Sequence, residues 1–382
     1  MTFDLTEEQV AVRDAARDFA INHLLPTVIE RDSKGIFPYE QVKSMGELGF
    51  MGMMVGPEFQ GGGMDTLCYV LAIEEISKVD ASAGVIMSVN NSLVCWGLET
   101  YGTVEQKEKY LTKLANGQLL GAFCLSEPEA GSDATSQKTT AREEGDFYVI
   151  NGTKNWITNG GTADVYLVIA QTDASKGHKG ISAFILEKGT PGFEVGKKED
   201  KLGIRSSDTH SLMFTEVRVP KENRIGEAGF GFKFAMETLN GGRIGIAAQA
   251  LGIAGGAYEL AVAYSKERKA FGKPICEHQA IQFKLADMLT SIEAARLLVM
   301  KAAWLKDQGK DYSDAGAMAK LYASQVAMDV TIEAVQVHGG YGYVKEYHVE
   351  RMMRDAKITQ IYEGTSEIQK IVISRSLLSK LN

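Results

Sequence analysis

The sequence predicts an α+β protein in three successive parts: helical, then β-rich, then helical. Three observations carry this. Apolar residues recur at helical spacing up to about residue 118. Runs of β-favouring residues separated by turn clusters fill 119–228. Long Ala/Leu/Ile-rich segments run from 229 to the end. A length of 382 residues accommodates two or three domains, and the changes of texture divide the chain into 1–118, 119–228 and 229–382.

Thr6 and Gln9 have the spacing of a capping box. Val10, Ala15, Phe19 and Ala20 then lay a helical stripe that ends at Pro26. Further helices are expected over 65–78 and 80–97. Gly61-Gly62-Gly63 follows no strand and reads as a loop between helices. In the middle part, 121–125, 147–150, 165–170, 181–186 and 212–219 read as strands, and Asn151-Gly152 is a two-residue hairpin signal. No helical pattern lies between these runs, which predicts antiparallel pairing instead of βαβ units. Pro220 closes the region. Helices over 232–267, 278–308, 312–338 and after Gly364 complete the chain, with Gly309 and Gly339-Gly340 where helices should stop.

The net charge of −8 argues against a nucleic-acid partner, which needs clustered Lys and Arg. A local anion site remains open, because a few Arg or backbone N–H groups suffice. Cys68, Cys95, Cys124 and Cys276 form no CxxC pair and read as reduced thiols. The six histidines show no metal spacing, so no metal is expected. No run approaches the roughly 18 apolar residues of a membrane span, and the Met1–Asp4 start carries no basic-then-apolar leader. The expectation is a cytoplasmic protein with no membrane partner. The glycine patterns of dinucleotide and P-loop sites, HExxH and GxSxG are absent. Nicotinamide enzymes, P-loop ATPases, zinc hydrolases and serine hydrolases thereby lose their usual signatures.

Several segments carry chemistry-bearing residues. Phe123–Asp133 leaves a strand and becomes a loop with Gly131, hydroxyls and backbone N–H groups. It reads either as a holder of a polar ring edge or phosphate or as an ordinary turn. In Lys154–Gly161, Trp156 reads as a face for a planar ligand or as a sheet core residue. Arg268–Pro274, followed by His278 and Gln279, reads as a pyrophosphate contact or as a basic helix end. Gln336–Gly342 offers close backbone approach or a simple C-cap. Glu363 sits in Ile361-Tyr362-Glu363-Gly364-Thr365-Ser366, ahead of a helix capped by Thr365 or Ser366. Alone it reads equally as a surface carboxylate favoured by the helix dipole.

The order and spacing of these segments over essentially the whole chain resemble the acyl-CoA dehydrogenase family. The Ser126-Glu127-Pro128 loop running to Ala130-Gly131-Ser132-Asp133 and the Ile361–Ser366 segment are the specific signatures. Leu239–Gly245 and Ala248–Ala254 look most like short-chain, butyryl-CoA members. The resemblance implies a helical N-terminal domain, a middle antiparallel β-barrel or sandwich and a C-terminal four-helix bundle. It also implies FAD bound without a Rossmann motif. Phe123, Leu125, Ser126, Gly131 and Ser132 would hold the flavin end, with Trp156, Ile157 and Thr158 against the ring. Arg268, Phe271, Gln279, Gln336, Val337, His338, Gly339 and Gly340 would reach the FAD of a neighbouring subunit in a homotetramer. Thr365 and Glu367 would complete the FAD site. Ser132, Asn240, Arg243 and Gly364 match acyl-CoA contacts. Asn240 stands where close relatives usually carry Asp, and Glu129 replaces a small residue or Asn.

The reaction implied is α,β-dehydrogenation of a short-chain acyl-CoA, butyryl-CoA to crotonyl-CoA. Glu363 would take the α proton, hydride would pass to flavin N5, and electrons would go on to electron-transferring flavoprotein. Some relatives place the base on another helix, at the position of Gly242 here, which leaves Glu363 as the family-consistent base. Glu350 reads as a solvated face. Residues 81–98 contain no charge, which argues for an uncharged acyl chain. Asn90 reads as a pocket-floor residue or as an interior helix polar group. The alternatives are a branched-chain or aryl-acyl-CoA dehydrogenase with the same base, and a catalytically silent flavin or acyl-CoA binding protein.

Overall fold

The computed structural model describes residues 4–379. The Met1–Phe3 start and the last three residues of the predicted third part lie outside the described residues. Thr6 caps the first helix, Glu7–Phe19. Its hydroxyl accepts from the Gln9 N–H at 3.2 Å, and its own N–H donates to the Gln9 side chain at 3.1 Å. The buried stripe is phased differently from the expectation. Val12, Ala16, Phe19 and Ala20 face the core, while Ala15 is exposed. These four keep the three-and-four spacing of one helix face, and Gln9 anchors it by donating to Asp65 at 2.9 Å.

Asp65 caps Thr66–Val79, accepting from the Cys68 N–H at 2.6 Å. Asp80 caps the next helix, accepting from Ser82 at 2.9 Å and Ala83 at 3.2 Å. Contrary to the sequence reading, two helices do reach the length and apolarity of a membrane span: Ala81–Tyr101 and Gly231–Glu267. Their most apolar windows are 94% and 72% buried inside the protein. A helix apolar on every side is what a core position demands.

Strands β1 (Gly121–Cys124), β2 (Thr140–Glu144), β3 (Phe147–Thr158), β4 (Val165–Gln171), β5 (Ile181–Glu187), β6 (Phe193–Lys198), β7 (Thr209–Pro220) and β8 (Arg224–Ile225) form one sheet. The order is β6-β7-β3-β2-β4-β5-β8, with β1 beside β4. Most pairs are antiparallel, as expected, but β1 runs parallel to β4 and β2 meets β4 in parallel at Thr140 and Gln171. Among the described residues no pairing joins β6 to β8, so the sheet stays open and no barrel closes.

Asn151-Gly152 is not a hairpin turn. The turn joining β2 to β3 is Gly145-Asp146, with Glu144 opposite Phe147. Asn151 and Gly152 instead sit inside β3 at a register shift against β7. Asn151 donates to the Glu216 carboxylate at 2.7 Å and accepts from its N–H at 2.9 Å. Gly152 is required because a Cβ there would lie 2.5 Å from the Thr139 hydroxyl oxygen. The turn-forming pair has been used to build a bulge.

Gly231–Glu267, Gln279–Asp307, Ser313–His338 and Ser366–Ser379 form the C-terminal bundle, with His348–Ile358 packed beside it. The first of these also presses against Thr66–Val79. A Cβ at Gly252 or Gly256 would fall 2.3 Å or 2.2 Å from the carbonyl oxygens of Glu74 or Lys78. Small residues thus let the two backbones touch and fuse the helical parts into one core.

Candidate active site

The His348–Ile358 helix ends in a turn that leads through Glu363 into Ser366–Ser379. Glu363 has φ +52° and Gly364 φ +91°. The left-handed region is natural for glycine and disfavoured for glutamate, so neighbouring groups must hold the turn. Gln369 Nε2 donates to the Gly364 carbonyl at 2.8 Å and more loosely to that of Glu363 at 3.4 Å. Lys320 Nζ donates to the carbonyls of Thr359 at 3.0 Å and Gly364 at 2.8 Å. Thr365 caps the last helix, accepting from the Ile368 N–H at 3.4 Å. Tyr362 donates to the Gln249 side chain.

The turn aims the Glu363 side chain at Gly242 on the Gly231–Glu267 helix. A Cβ on Gly242 would lie 2.2 Å from Glu363 Oε2 and 2.8 Å from Leu93 Cδ2. Glu363 keeps some exposure as a residue, yet Oε2 is sealed from solvent and has no hydrogen-bond partner among the described residues. Burial pushes this carboxyl up to about 7, while Lys320 and then Arg243 pull the other way.

Arg243 is itself buried, and its Nη1 donates to Asn240 Oδ1 at 2.7 Å. Its Nε has no hydrogen-bond partner among the described residues. Asn240 therefore gives Arg243 a neutral acceptor where an aspartate would give it a counter-charge. Gly364 joins this group through the turn.

A second group lies where β1 leaves the sheet. Phe123 and Leu125 point into the core, and Ser126 is half-buried. The Ser126 carbonyl accepts from the Asn155 N–H at 2.8 Å, which brings the 126–132 loop against the end of β3. There a second register shift, between Lys154 and Ile157, turns Trp156 outward with φ +62° and 60% exposure, while Ile157 stays buried. Thr158 is half-buried, and Gly131 and Ser132 are exposed. Beneath the loop the buried Lys154 ammonium donates to the Leu125 carbonyl at 2.9 Å, to Glu127 at 2.8 Å and to Gln137 at 2.9 Å. Glu129, the other departure in the loop, pairs with Lys138 in solvent.

A third group lies at the far ends of the bundle helices. The Arg268 guanidinium sits over the Tyr341 ring at 5.6 Å, and Tyr264 stacks on His338 at 4.3 Å. Phe271 has φ +52° and is 96% exposed at the tip of a short hairpin. Gln279, Gln336, Gly339 and Gly340 are exposed, whereas the side chains of Val337 and His338 are buried. Among the described residues no hydrogen bond, ion pair or ring contact joins this group to the other two. Glu367 is exposed in the first turn of the last helix, next to Thr365.

Sequence reasoning missed Lys320 and Gln369 altogether, and it gave Gln249 and Lys154, which lay within the segments it singled out, no part in holding the turn and the loop. Lys320 had a visible signal, a lone lysine on a face otherwise made of Gly316, Ala317, Ala319 and Ala323. Asn90 is an interior polar group: it donates to the carbonyls of Met51 and Leu114 and accepts from the Gly121 N–H at 3.0 Å. It tethers the start of β1 and does not present a free group to a pocket.

The chain matches three domain families: acyl-CoA dehydrogenase N-terminal domain over residues 6–118, middle domain over 122–217 and C-terminal domain over 229–378. It is 56% identical, over 98% of its length and 99% of the relative's, to the short-chain specific acyl-CoA dehydrogenase of Clostridium acetobutylicum. It superposes with a TM-score of 0.98 on butyryl-CoA dehydrogenase from Megasphaera elsdenii, at 54% identity, covering 99% of this chain and 100% of that one. The same TM-score, at 56% identity and with 99% and 100% covered, relates it to a chain in a structure of the electron transferring flavoprotein of Acidaminococcus fermentans, described as bearing on flavin-based electron bifurcation. With all three domains matched in order and identity above half from end to end, the chain belongs to the acyl-CoA dehydrogenase family.

Proposed function

We propose that this protein is an FAD-dependent short-chain acyl-CoA dehydrogenase, converting butyryl-CoA to crotonyl-CoA with Glu363 as the base. The observation that carries the reading is the Glu363 carboxyl itself. It is buried, its Oε2 has no partner among the described residues, and its affinity for a proton is raised to the range a general base needs near neutrality.

The residues present fit FAD. Trp156 offers a flat apolar face to solvent, Ser126, Ser132 and Thr158 supply hydroxyls along the same edge, and Gly131 leaves open space where a side chain would stand. Phe123, Leu125 and Ile157 would back this edge, while Thr365 and Glu367 would close it. Bound FAD supplies the acceptor for the β hydride. Arg268, Phe271, Gln279 and Gln336 through Gly340 would serve the FAD of a second subunit, in keeping with their separation from Glu363 in one chain. Exposed Phe283, Leu289, Leu297, Ile332 and Leu377 on the bundle helices support a homotetramer.

Glu363 takes the α proton of the thioester at its free Oε2. The Glu363 backbone N–H donates to no other group among the described residues. It would donate to the thioester oxygen as enolate charge develops, and such a donor is worth about 3 kcal/mol. Ser132, Asn240, Arg243 and Gly364 would line the acyl-CoA path. Electron transfer to an electron-transferring flavoprotein is part of the proposal, supported by the relative from A. fermentans. So is residence in the cytoplasm, supported by the four free thiols and by the burial of both long apolar helices.

The test is anaerobic titration of the purified flavoprotein with butyryl-, octanoyl-, isovaleryl- and glutaryl-CoA. Rapid loss of oxidised-flavin absorbance with butyryl-CoA is expected, with slow or no bleaching by the others. Fast bleaching by isovaleryl-CoA instead would move the protein to branched-chain substrates, and no bleaching at all would leave a silent binder. Gly242→Ala is a second check. Its methyl group would overlap the carboxyl oxygen, so kcat should fall about 100-fold through misplacement of the base, with flavin content unchanged.

A further inference from the structure

We propose that Lys320 is a positioning residue for the base, clamping both ends of the Glu363 turn and supplying the positive charge that keeps its carboxylate usable. The proposal rests on the reading of Glu363 as base. Lys320 lies in the middle of Ser313–His338, 1% exposed, on a face of small residues. Its ammonium reaches out of that face and, among the described residues, donates to two carbonyls only, those of Thr359 and Gly364, at 3.0 Å and 2.8 Å. These carbonyls bracket Gln360–Glu363 on either side. A single buried cation thus ties the two ends of a segment whose Glu363 holds a left-handed conformation disfavoured for any residue with a Cβ. Gln369 reinforces one end from the following helix.

The titratable groups that act on the Glu363 carboxyl come from four elements, while the Ala81–Tyr101 helix brings only the apolar Leu93 near it. Lys320 comes from Ser313–His338, Arg243 from Gly231–Glu267, Tyr69 from Thr66–Val79 and Tyr362 from the turn itself. Only the first two carry positive charge, and Lys320 exerts the larger pull. Arg243 already donates to Asn240, whereas Lys320 makes no hydrogen bond to another side chain among the described residues. Burial holds the Lys320 ammonium down to about 8, while Glu363 pulls it back up.

The two parts of the role separate by substitution. Lys320→Gln keeps an N–H donor but removes the charge, and Lys320→Met removes both. Loss of an opposite charge should move the acidic limb of the kcat profile to higher pH by about 1 unit, with about a 5-fold loss of kcat at pH 7. KM for butyryl-CoA should change little. Lys320→Met should add a further fall in kcat as the turn loosens. A readout independent of turnover is the infrared difference signal of the protonated Glu363 carboxyl, titrated in the substrate-free holoenzyme with Glu363→Gln as blank. Its midpoint should rise in both variants. If Glu363→Gln keeps turnover, the base is misassigned and the role of Lys320 falls with it. If Glu363→Gln is dead while both Lys320 variants keep the wild-type midpoint and pH profile, the base stands and Lys320 merely fills space. Should Lys320→Met fail to fold, the midpoint of Lys320→Gln decides.

Discussion

Glu363→Gln is expected to reduce kcat by about 10⁴-fold while making the folded protein more stable above pH 7. The amide matches the carboxylate in size and cannot accept the α proton, so binding of flavin and acyl-CoA should survive and turnover should not. The stability effect follows from the same burial. The folded-state carboxyl is raised from an ordinary 4.5 to about 7, so between these values the folded chain binds a proton that the unfolded chain has released. Stability drawn from this group is fully present below pH 4.5 and is lost as pH rises through 7. An ionised Glu363 then destabilises the fold by about 3 kcal/mol at pH 8, and glutamine carries no such penalty. Thermal unfolding of both proteins across pH 4.5–8.5, at equal flavin loading, should show curves that coincide at the acid end and separate towards the alkaline end. A variant that is inactive yet no more stable at pH 8 would mean that the ionised carboxylate finds a partner in solution. A variant that still turns over would remove Glu363 from the mechanism.

The helix–sheet–helix order was legible because local pattern decides it. Thr6 and Gln9 needed only each other to announce a capping box, and the apolar runs of β4 and β5 could hardly be anything but buried strands. What failed to show was set by partners distant in the chain. Val12 and Ala16 face inward because Gln9 is drawn to Asp65, more than fifty positions away. Asn151-Gly152 satisfies the rule for a hairpin and was used for a bulge, since Glu216 on β7 offered Asn151 two hydrogen bonds. The parallel pairing of β1 with β4 leaves no mark on sequence periodicity. Within the site, Glu363 and the Ser126–Asp133 loop stood out only through family resemblance, since each alone had an ordinary reading. The groups beneath them were invisible for a physical reason. Lys154 and Lys320 are lysines, usually surface residues, and what holds them inside is a set of carbonyl and carboxylate oxygens contributed by other elements.

Lys154→Met should be the most destabilising single change at this end of β3, by about 3–5 kcal/mol. The ammonium is fully buried and makes three short bonds, to the Leu125 carbonyl, Glu127 and Gln137. Burial alone would lift the Glu127 carboxyl. The Lys154 charge, with the N–H groups of Lys138 at 2.6 Å and Thr139 at 3.1 Å, holds it below the usual carboxylate range. Methionine fills the space but leaves Glu127 charged in a site built for a pair. Breaking one half of a buried pair is costlier than replacing both, so Lys154→Met/Glu127→Gln should recover part of the lost stability. Function should follow, because the same lysine stands two residues before the outward-turned Trp156 and under the Ser126 loop. Both segments proposed to face the flavin would lose their common anchor. Denaturant unfolding of the wild type, two single variants and the double variant closes the cycle, and flavin retained through gel filtration reports the site. A Lys154→Met protein that unfolds with the wild type would show that the loop is held by its backbone contacts, chiefly Asn155 to Ser126. One that is destabilised but retains its flavin would separate the anchor of the fold from the anchor of the cofactor.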